Sequence, residues 1–258
     1  MDFGNLLQQV KDNLQFLLVC LVTVAVIVAV AKLAEKTFLK ASIAKVSATK
    51  YTAICGMLGA LATVLMVLEF PIPFLAPPFY KLDFSELPVL IGGFSLGPVA
   101  AVIIELVKIF LKIIVRGGSS TAFVGEFANF VVGCTLVVPA AIIYHLKKTR
   151  KTAVLSLACG TLIMAVFGTA FNAFYLLPAF SSLYGLPLDQ IIAMGTAING
   201  NINSVTTFVI FAVFPLNVIK GALVSVLTML LYKRISVFLH NMIAGDAAQG
   251  NAAKLKRS

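Results

Sequence analysis

The chain has 258 residues, 60% of them hydrophobic and only 12% charged, with a mean hydropathy of +1.02. A soluble domain cannot hide that much apolar surface, so an all-α polytopic membrane protein is expected. The net charge of +10 does not point to nucleic acid: 14 of the 20 Lys and Arg fall in three clusters beside apolar runs, the pattern of cytoplasmic loops under the positive-inside rule.

Residues 14 to 31, LQFLLVCLVTVAVIVAVA, are long enough to cross a bilayer and are expected to be a retained span rather than a cleaved leader. The first basic cluster (Lys32, Lys36, Lys40, Lys45, Lys50) follows it. The span therefore runs from outside to inside, with a basic amphipathic linker along the inner surface. Residues 1–50 thus form an N-terminal transmembrane helix and basic cytoplasmic linker ahead of a membrane domain at 51–235. Residues 236–258 form a small, polar, basic cytoplasmic tail expected to be disordered.

Tyr51 to Phe70 is the second span. Ala53, Gly56 and Ala60 lie on one face, and Gly56-x-x-x-Ala60 allows another helix to approach closely in lipid. Packing within this protein and docking onto a partner membrane protein both remain open.

Glu69 to Pro88, EFPIPFLAPPFYKLDFSELP, carries five of the ten prolines and is no ordinary span. Non-helical backbone near a bilayer survives at the aqueous surface or where it lines an enclosed cavity, so the stretch is expected to wall a binding site. Leu87 to Gly118 is too short for two full crossings, and Gly92-Gly93 and Gly97-Pro98 divide it into a short helix and a normal one. For the cluster Lys147, Lys148, Arg150 and Lys151 to lie inside, the short helix must complete a crossing that Phe79–Glu86 begins. That carries Asp83 and Glu86 partway into the membrane.

Glu105, Lys108 and Lys112 recur on one helical face, with an internal ion pair as the default. Ser119 and Ser120 are expected to turn the chain outside. Thr121 to Leu146 is the next span, with Glu126 and Asn129 near its outer end, and Thr152 to Leu177 the one after, with Asn172 near its end and Pro178 closing it. An external loop, AFSSLYGLPLDQ, leads to an Asn-rich approach (Asn199, Asn201, Asn203) and a last span from about Thr206 to Tyr232. Pro215 close to Lys220 suggests a broken helix there, with Lys220 as a site residue or an internal counter-ion. The third basic cluster (Lys233, Arg234, Lys254, Lys256, Arg257) ends the chain.

The outer half so gathers Asp83, Glu86, Glu126, Asn129, Asn172, Asn217 and Lys220 among Phe79, Tyr80, Phe84, Phe171, Phe174 and Tyr175. Asparagine pairs donor and acceptor for a heterocycle's edge, and aromatic rings take its face, so a pocket for a small, flat, polar-edged molecule follows. Cys20, Cys55, Cys134 and Cys159 lie singly in apolar runs without CxxC spacing and are expected to be buried thiols, and His145 and His240 each lack a second ligand, so no metal site is expected. There is no nucleophile with a paired base, which weighs against a membrane-embedded enzyme using Asp83, Glu86 or Glu126 as acid or base. No Walker A sequence occurs, so ATP hydrolysis belongs to other chains.

EFPIPFL, DFSELP, GGFSLGPVAA, FNAFYLLP and FPLNVIKG, in that order over about Tyr51 to Lys233, resemble the riboflavin-specific substrate-binding (S) components of energy-coupling factor (ECF) transporters, the RibU family. The resemblance implies a six-helix S-component bundle, here with one extra N-terminal transmembrane helix. It implies riboflavin as transported ligand, no cofactor and no ATPase activity. The implied partners are a transmembrane coupling protein and two ATP-binding subunits, with transport by toppling in the bilayer. Carried over by motif, Asn172, Asn217 and Lys220 are similar to ligand-contacting positions, Phe79 to Glu86 to the capping loop, and Gly56 and Ala60 to the small-residue docking motif. An S component for another vitamin or heterocycle is the alternative.

Overall fold

The structure is a computed structural model that describes residues 3–43, 46–118, 123–184 and 187–232, with side chains from Leu18 onward except those of 182–184. The third basic cluster, the tail, Ser119 and Ser120 lie outside the described residues.

Helix α1 (Phe3–Ala34) continues through a π turn, Glu35–Leu39. Ala31, Ala34 and Leu39 are buried, and Cys20, Val24 and Ile27 pack against the core from the same seam, while Leu21, Val22, Val26 and Val30 are exposed. That is the one-sided stripe of a helix laid on a bundle, here chiefly on α4 and α5 below. The linker expected to lie along the inner surface is helical as far as Leu39 and docked: Glu35 Oε1 accepts from Val99 N–H at 2.8 Å, and Ser42 Oγ meets His145 Nδ1 at 3.2 Å.

α2 (Ala48–Val67) rises toward a small cap in which β1 (Phe70–Pro71) pairs antiparallel with β2 (Lys81–Leu82). The prolines confine this pairing to two residues on each strand, since a ladder needs N–H donors that proline lacks. α3 (Glu86–Leu96) is an 11-residue helix, followed across Gly97 by α4 (Pro98–Val115). Gly97 has φ +108°, a conformation that favours glycine, and reverses the chain between the two helices. At 1.5 Å per residue α3 spans about 16 Å, half a hydrocarbon core of about 30 Å. It starts at mid-height, because Glu86 is paired with Lys108, ten residues into α4. The order expected of this stretch, irregular backbone leading into a short helix with Asp83 and Glu86 at the junction, is present.

α5 (Val124–Leu146), α6 (Arg150–Phe171) and α9, which opens at Val205–Phe208 and runs to Tyr232, close the bundle. Three expectations need correction. Pro178 does not end its span: a π turn, Asn172–Leu176, carries α6 into α7 (Leu177–Tyr184), giving an apolar rod over Arg150–Ser181. Pro215 does not break α9 either, because a π turn at Val209–Val213 precedes it by one residue, as the other precedes Pro178. Leu177 N–H bonds Asn172 O and Phe214 N–H bonds Val209 O, so the helix widens by one residue just before each proline and absorbs its missing donor. The segment expected as an external loop is largely helical, in α7 and α8 (Leu188–Thr196).

Among the described residues, five helical segments, Leu18–Leu39, Ala48–Val67, Val124–Leu146, Arg150–Ser181 and Val205–Tyr232, are long and apolar enough to cross a membrane. α4 has 18 residues and three charges, of which Glu105 and Lys108 are fully buried.

Candidate functional site

Beneath the β1–β2 cap lies a cavity of about 460 Å³, walled by the cap, the end of α2, α4, α5, the π turn Asn172–Leu176 after α6, α7, α8 and α9. Its volume falls in the range of about 300–1,000 Å³ usual for small-molecule sites. Asp83 and Glu86, expected partway into the membrane, are 2% and 1% exposed. Asp83 Oδ1 accepts from Ser85 N–H at 2.8 Å, a local turn that lets the chain enter α3 with its carboxylate facing inward. Asp83 Oδ2 and Glu86 Oε1 each take Lys220 Nζ at 3.0 Å, which ties α9 to the cap and to α3. Lys108 Nζ extends the network to Glu86 Oε1 (3.4 Å), Ser85 Oγ (3.1 Å) and Glu105 Oε2 (2.6 Å). Lys112 pairs with Glu126 at 3.2 Å. Charges at this depth persist only when paired, and the Glu105–Lys108–Lys112 face is paired as expected. Lys220 is both a counter-ion and a cavity wall: two of its three protons serve carboxylates.

The cap is tied across the cavity as well. Tyr80 Oη donates to Asn172 Oδ1 at 2.6 Å, and Asn172 Nδ2 donates to Gly168 O at 2.7 Å. Asn172 is therefore half occupied as a fastener of the cap to α6. Two other asparagines differ. Asn129 on α5 and Asn217 on α9 line the cavity, and Asn129 Oδ1 and Asn217 Nδ2 are buried without a partner in the protein. A buried acceptor and a buried donor left unmade cost about 1–3 kcal/mol each, which a ligand with a complementary edge would return.

Of the residues expected at the site, Phe79, Tyr80, Asp83, Asn129, Asn172, Asn217 and Lys220 line the cavity. Three others do not. Glu86 lies behind Lys220, Glu126 is buried against Lys112, and Phe84 packs against Phe70 with ring centroids 6.2 Å apart. Phe171, Phe174 and Tyr175 are also not lining residues: Phe171 and Tyr175 stack on each other at 5.3 Å, and Phe174 is 85% exposed. Phe171 ends α6, and Phe174 and Tyr175 lie on other faces of the π turn whose first residue, Asn172, turns inward. Missing from the expectation are Phe180, from the stretch taken for a loop, Ile191 and Met194, from the approach just after it, and Glu69 and Lys81, paired at 2.9 Å near the mouth. The spacing of Leu188, Ile191, Ile192 and Gly195 is a helical signal that would have found α8.

Ala53 and Ala60 on α2 are exposed, and a Cβ on Gly56 would meet nothing within 4 Å. The small-residue face points out of the bundle. The close approach inside is made by Gly59, over Val107 of α4.

Residues 50–232 match the family described as ECF transporter, substrate-specific component. The riboflavin transporter RibU of Staphylococcus aureus (strain TCH60) is 36% identical over 184 residues, covering 71% of this chain and 89% of that protein. The riboflavin transporter FmnP of Bacillus subtilis (strain 168) is 30% identical over 190 residues, covering 74% and 94%. A solved structure described as the S component of a bacterial ECF transporter superposes with a TM-score of 0.58 at 36% identity, over 75% of this chain and 99% of that one.

Proposed function

The chain belongs to the substrate-specific components of ECF transporters, and from that premise we propose that it is the high-affinity riboflavin-binding subunit of a vitamin uptake transporter. It is a multi-pass membrane protein and not an enzyme; ATP hydrolysis belongs to separate subunits. The observation that carries the ligand assignment is the pair of buried, unpartnered amide atoms, Asn129 Oδ1 and Asn217 Nδ2, beside the third proton of Lys220 in one cavity. An acceptor and donors on one cavity can serve an edge that alternates carbonyl, N–H and carbonyl, as one edge of the flavin ring does. Tyr80, Phe79 and Phe180 offer ring faces on the same cavity.

The working assembly is this chain with a membrane coupling protein and two ATP-binding subunits, docked through the outward face of Ala53, Gly56 and Ala60. The cap faces the outside, and the basic residues at the other end face the cytoplasm. For ATP to drive net uptake, the loaded and empty forms must dock differently. The cap is the part suited to report loading, since it is held to α6 and α9 by groups that line the cavity.

The test is direct. Protein extracted in detergent should carry a yellow chromophore with riboflavin's absorption bands, and the apoprotein should quench flavin fluorescence with nanomolar affinity. No binding at micromolar riboflavin would reject this ligand while leaving the fold intact, and direct binding measurements over a vitamin panel would then find the true one.

A further inference from the structure

The N-terminal helix lies outside the matched segment 50–232, and nothing above gives it a task. Its end meets the bundle at the break between α3 and α4. A helix starts with N–H groups that have no partner within it, usually served by an oxygen on the N-cap side chain that accepts from the second or third helical residue. The N-cap of α4 is Gly97, which has no side chain; Pro98 follows with no N–H, and the second helical residue is Val99. Its N–H is taken by Glu35 Oε1 at 2.8 Å. A Cβ on Gly97 would lie 2.7 Å from that same oxygen and 2.9 Å from Ile43 Cδ1. The glycine and the glutamate are therefore complementary: the missing side chain leaves the room that a carboxylate from another helix occupies. The carboxylate also lies at the positive end of the α4 dipole.

The same segment braces the other side of the break. Ser42 Oγ contacts His145 Nδ1 at 3.2 Å, and His145 Nε2 contacts Gly93 O in the last turn of α3 at 3.0 Å. Residues 35–43 so hold both the end of the helix that carries Glu86 and the start of the helix that carries Glu105, Lys108 and Lys112. Those charges meet Lys220 and the cavity wall about halfway up the bundle. A slip of α4 along its axis would separate Lys108 from Glu86.

The geometry points to Glu35 as a positioning residue of the ligand site: the N-terminal helix caps α4 in place of Gly97 and fixes the height of the α4 charges against α3 and α9. The extra helix is then a working part of the binder rather than an appendage. It lies chiefly on α4 and α5 and leaves the small-residue face of α2 open.

The experiment compares Glu35→Ala, Glu35→Asp and Glu35→Gln in the full-length chain. It measures hydrogen exchange over the first turn of α4, and riboflavin dissociation by fluorescence. Gln keeps the acceptor at the same reach without charge; Asp keeps the charge on a shorter arm. Glu35→Ala and Glu35→Asp should both speed exchange in that turn and raise the riboflavin dissociation constant on the order of fivefold. Glu35→Gln should bring both back to within about twofold of wild type. Unchanged exchange in Glu35→Ala would overturn the proposal. So would changed exchange with unchanged affinity, or a series in which Asp restores and Gln does not, since charge rather than the capping bond would then be at work. Where Glu35→Ala does not accumulate, the Asp and Gln variants decide. The affinity readout rests on the riboflavin assignment; the exchange readout does not, so a chain that bound no flavin would still reveal whether Glu35 caps α4.

Discussion

Asn217 and Lys220 lie three residues apart on α9 and differ in what their loss would do. Asn217 Nδ2 has no protein partner, so truncation removes a ligand contact and little else. Asn217→Ala should raise the riboflavin dissociation constant at least tenfold, about 1.4 kcal/mol, with an unchanged melting temperature. Fluorescence titration and a thermal melt read the two effects separately. Lys220 holds two buried carboxylates, and Lys220→Met would leave Asp83 without an ion-pair partner and Glu86 with Lys108 alone, at 3.4 Å. A loss of about 3–5 kcal/mol of stability is expected, because breaking a buried pair costs more than the pair contributes. Adding Asp83→Asn should recover much of it in denaturation measurements. A melt in which Lys220→Met is as stable as wild type would mean that the network does not hold the cap.

At the scale of the element, two π turns decide which faces of α6 and α9 look inward. They touch each other, and each opens its helix by one residue just before a proline. The pairing of α6 with α9 near the cavity is close enough that Gly168 has room only for its hydrogen: a Cβ there would lie 2.7 Å from Asn217 Nδ2. Gly168→Ala is thus expected to weaken riboflavin binding about tenfold in wild type and to have almost no effect in Asn217→Ala, a coupling that a double-mutant cycle measures. On α2 the glycines divide the other way. Gly59 is filled by Val107 from α4, and Gly56 faces outward. Gly56→Leu should abolish uptake in cells while leaving riboflavin binding intact; if binding fell along with uptake, the outward face would not be a docking surface.

Across the whole molecule, the folded cap leads straight into the short helix α3, so that two carboxylates reach the height of Lys108 in a protein otherwise built of apolar rods. The chain Asp83–Lys220–Glu86–Lys108–Glu105 joins the cap, α3, α4 and α9 into one unit. Orientation follows from which end is basic. In a background without native cysteines, Phe74→Cys, at a position 80% exposed on the cap, should react with a membrane-impermeant maleimide in intact cells. Lys147→Cys should react only after permeabilisation. The reverse pattern would invert the proposed topology.

The sequence by itself determined the features that depend on local composition: apolar rods of bilayer length, a proline-rich stretch that no helix accepts, the end of short α3 at Gly97, although Gly92-Gly93 inside it make no break, and the Glu105–Lys108–Lys112 face that demanded internal partners. Seven of the ten expected ligand residues line the cavity for the same reason, since polar groups inside apolar spans have few places to go. Only the tertiary structure decided the rest. Whether Pro178 and Pro215 end a helix depends on a single inserted residue whose cost or gain is set by the neighbouring rod, and a one-residue shift turned Phe171, Phe174 and Tyr175 away while leaving Asn172 inside. That Asp83 and Glu86 both hold Lys220 while Asp83 alone of the two lines the cavity depends on contacts 137 and 134 residues apart, and no spacing along the chain encodes a distance in space.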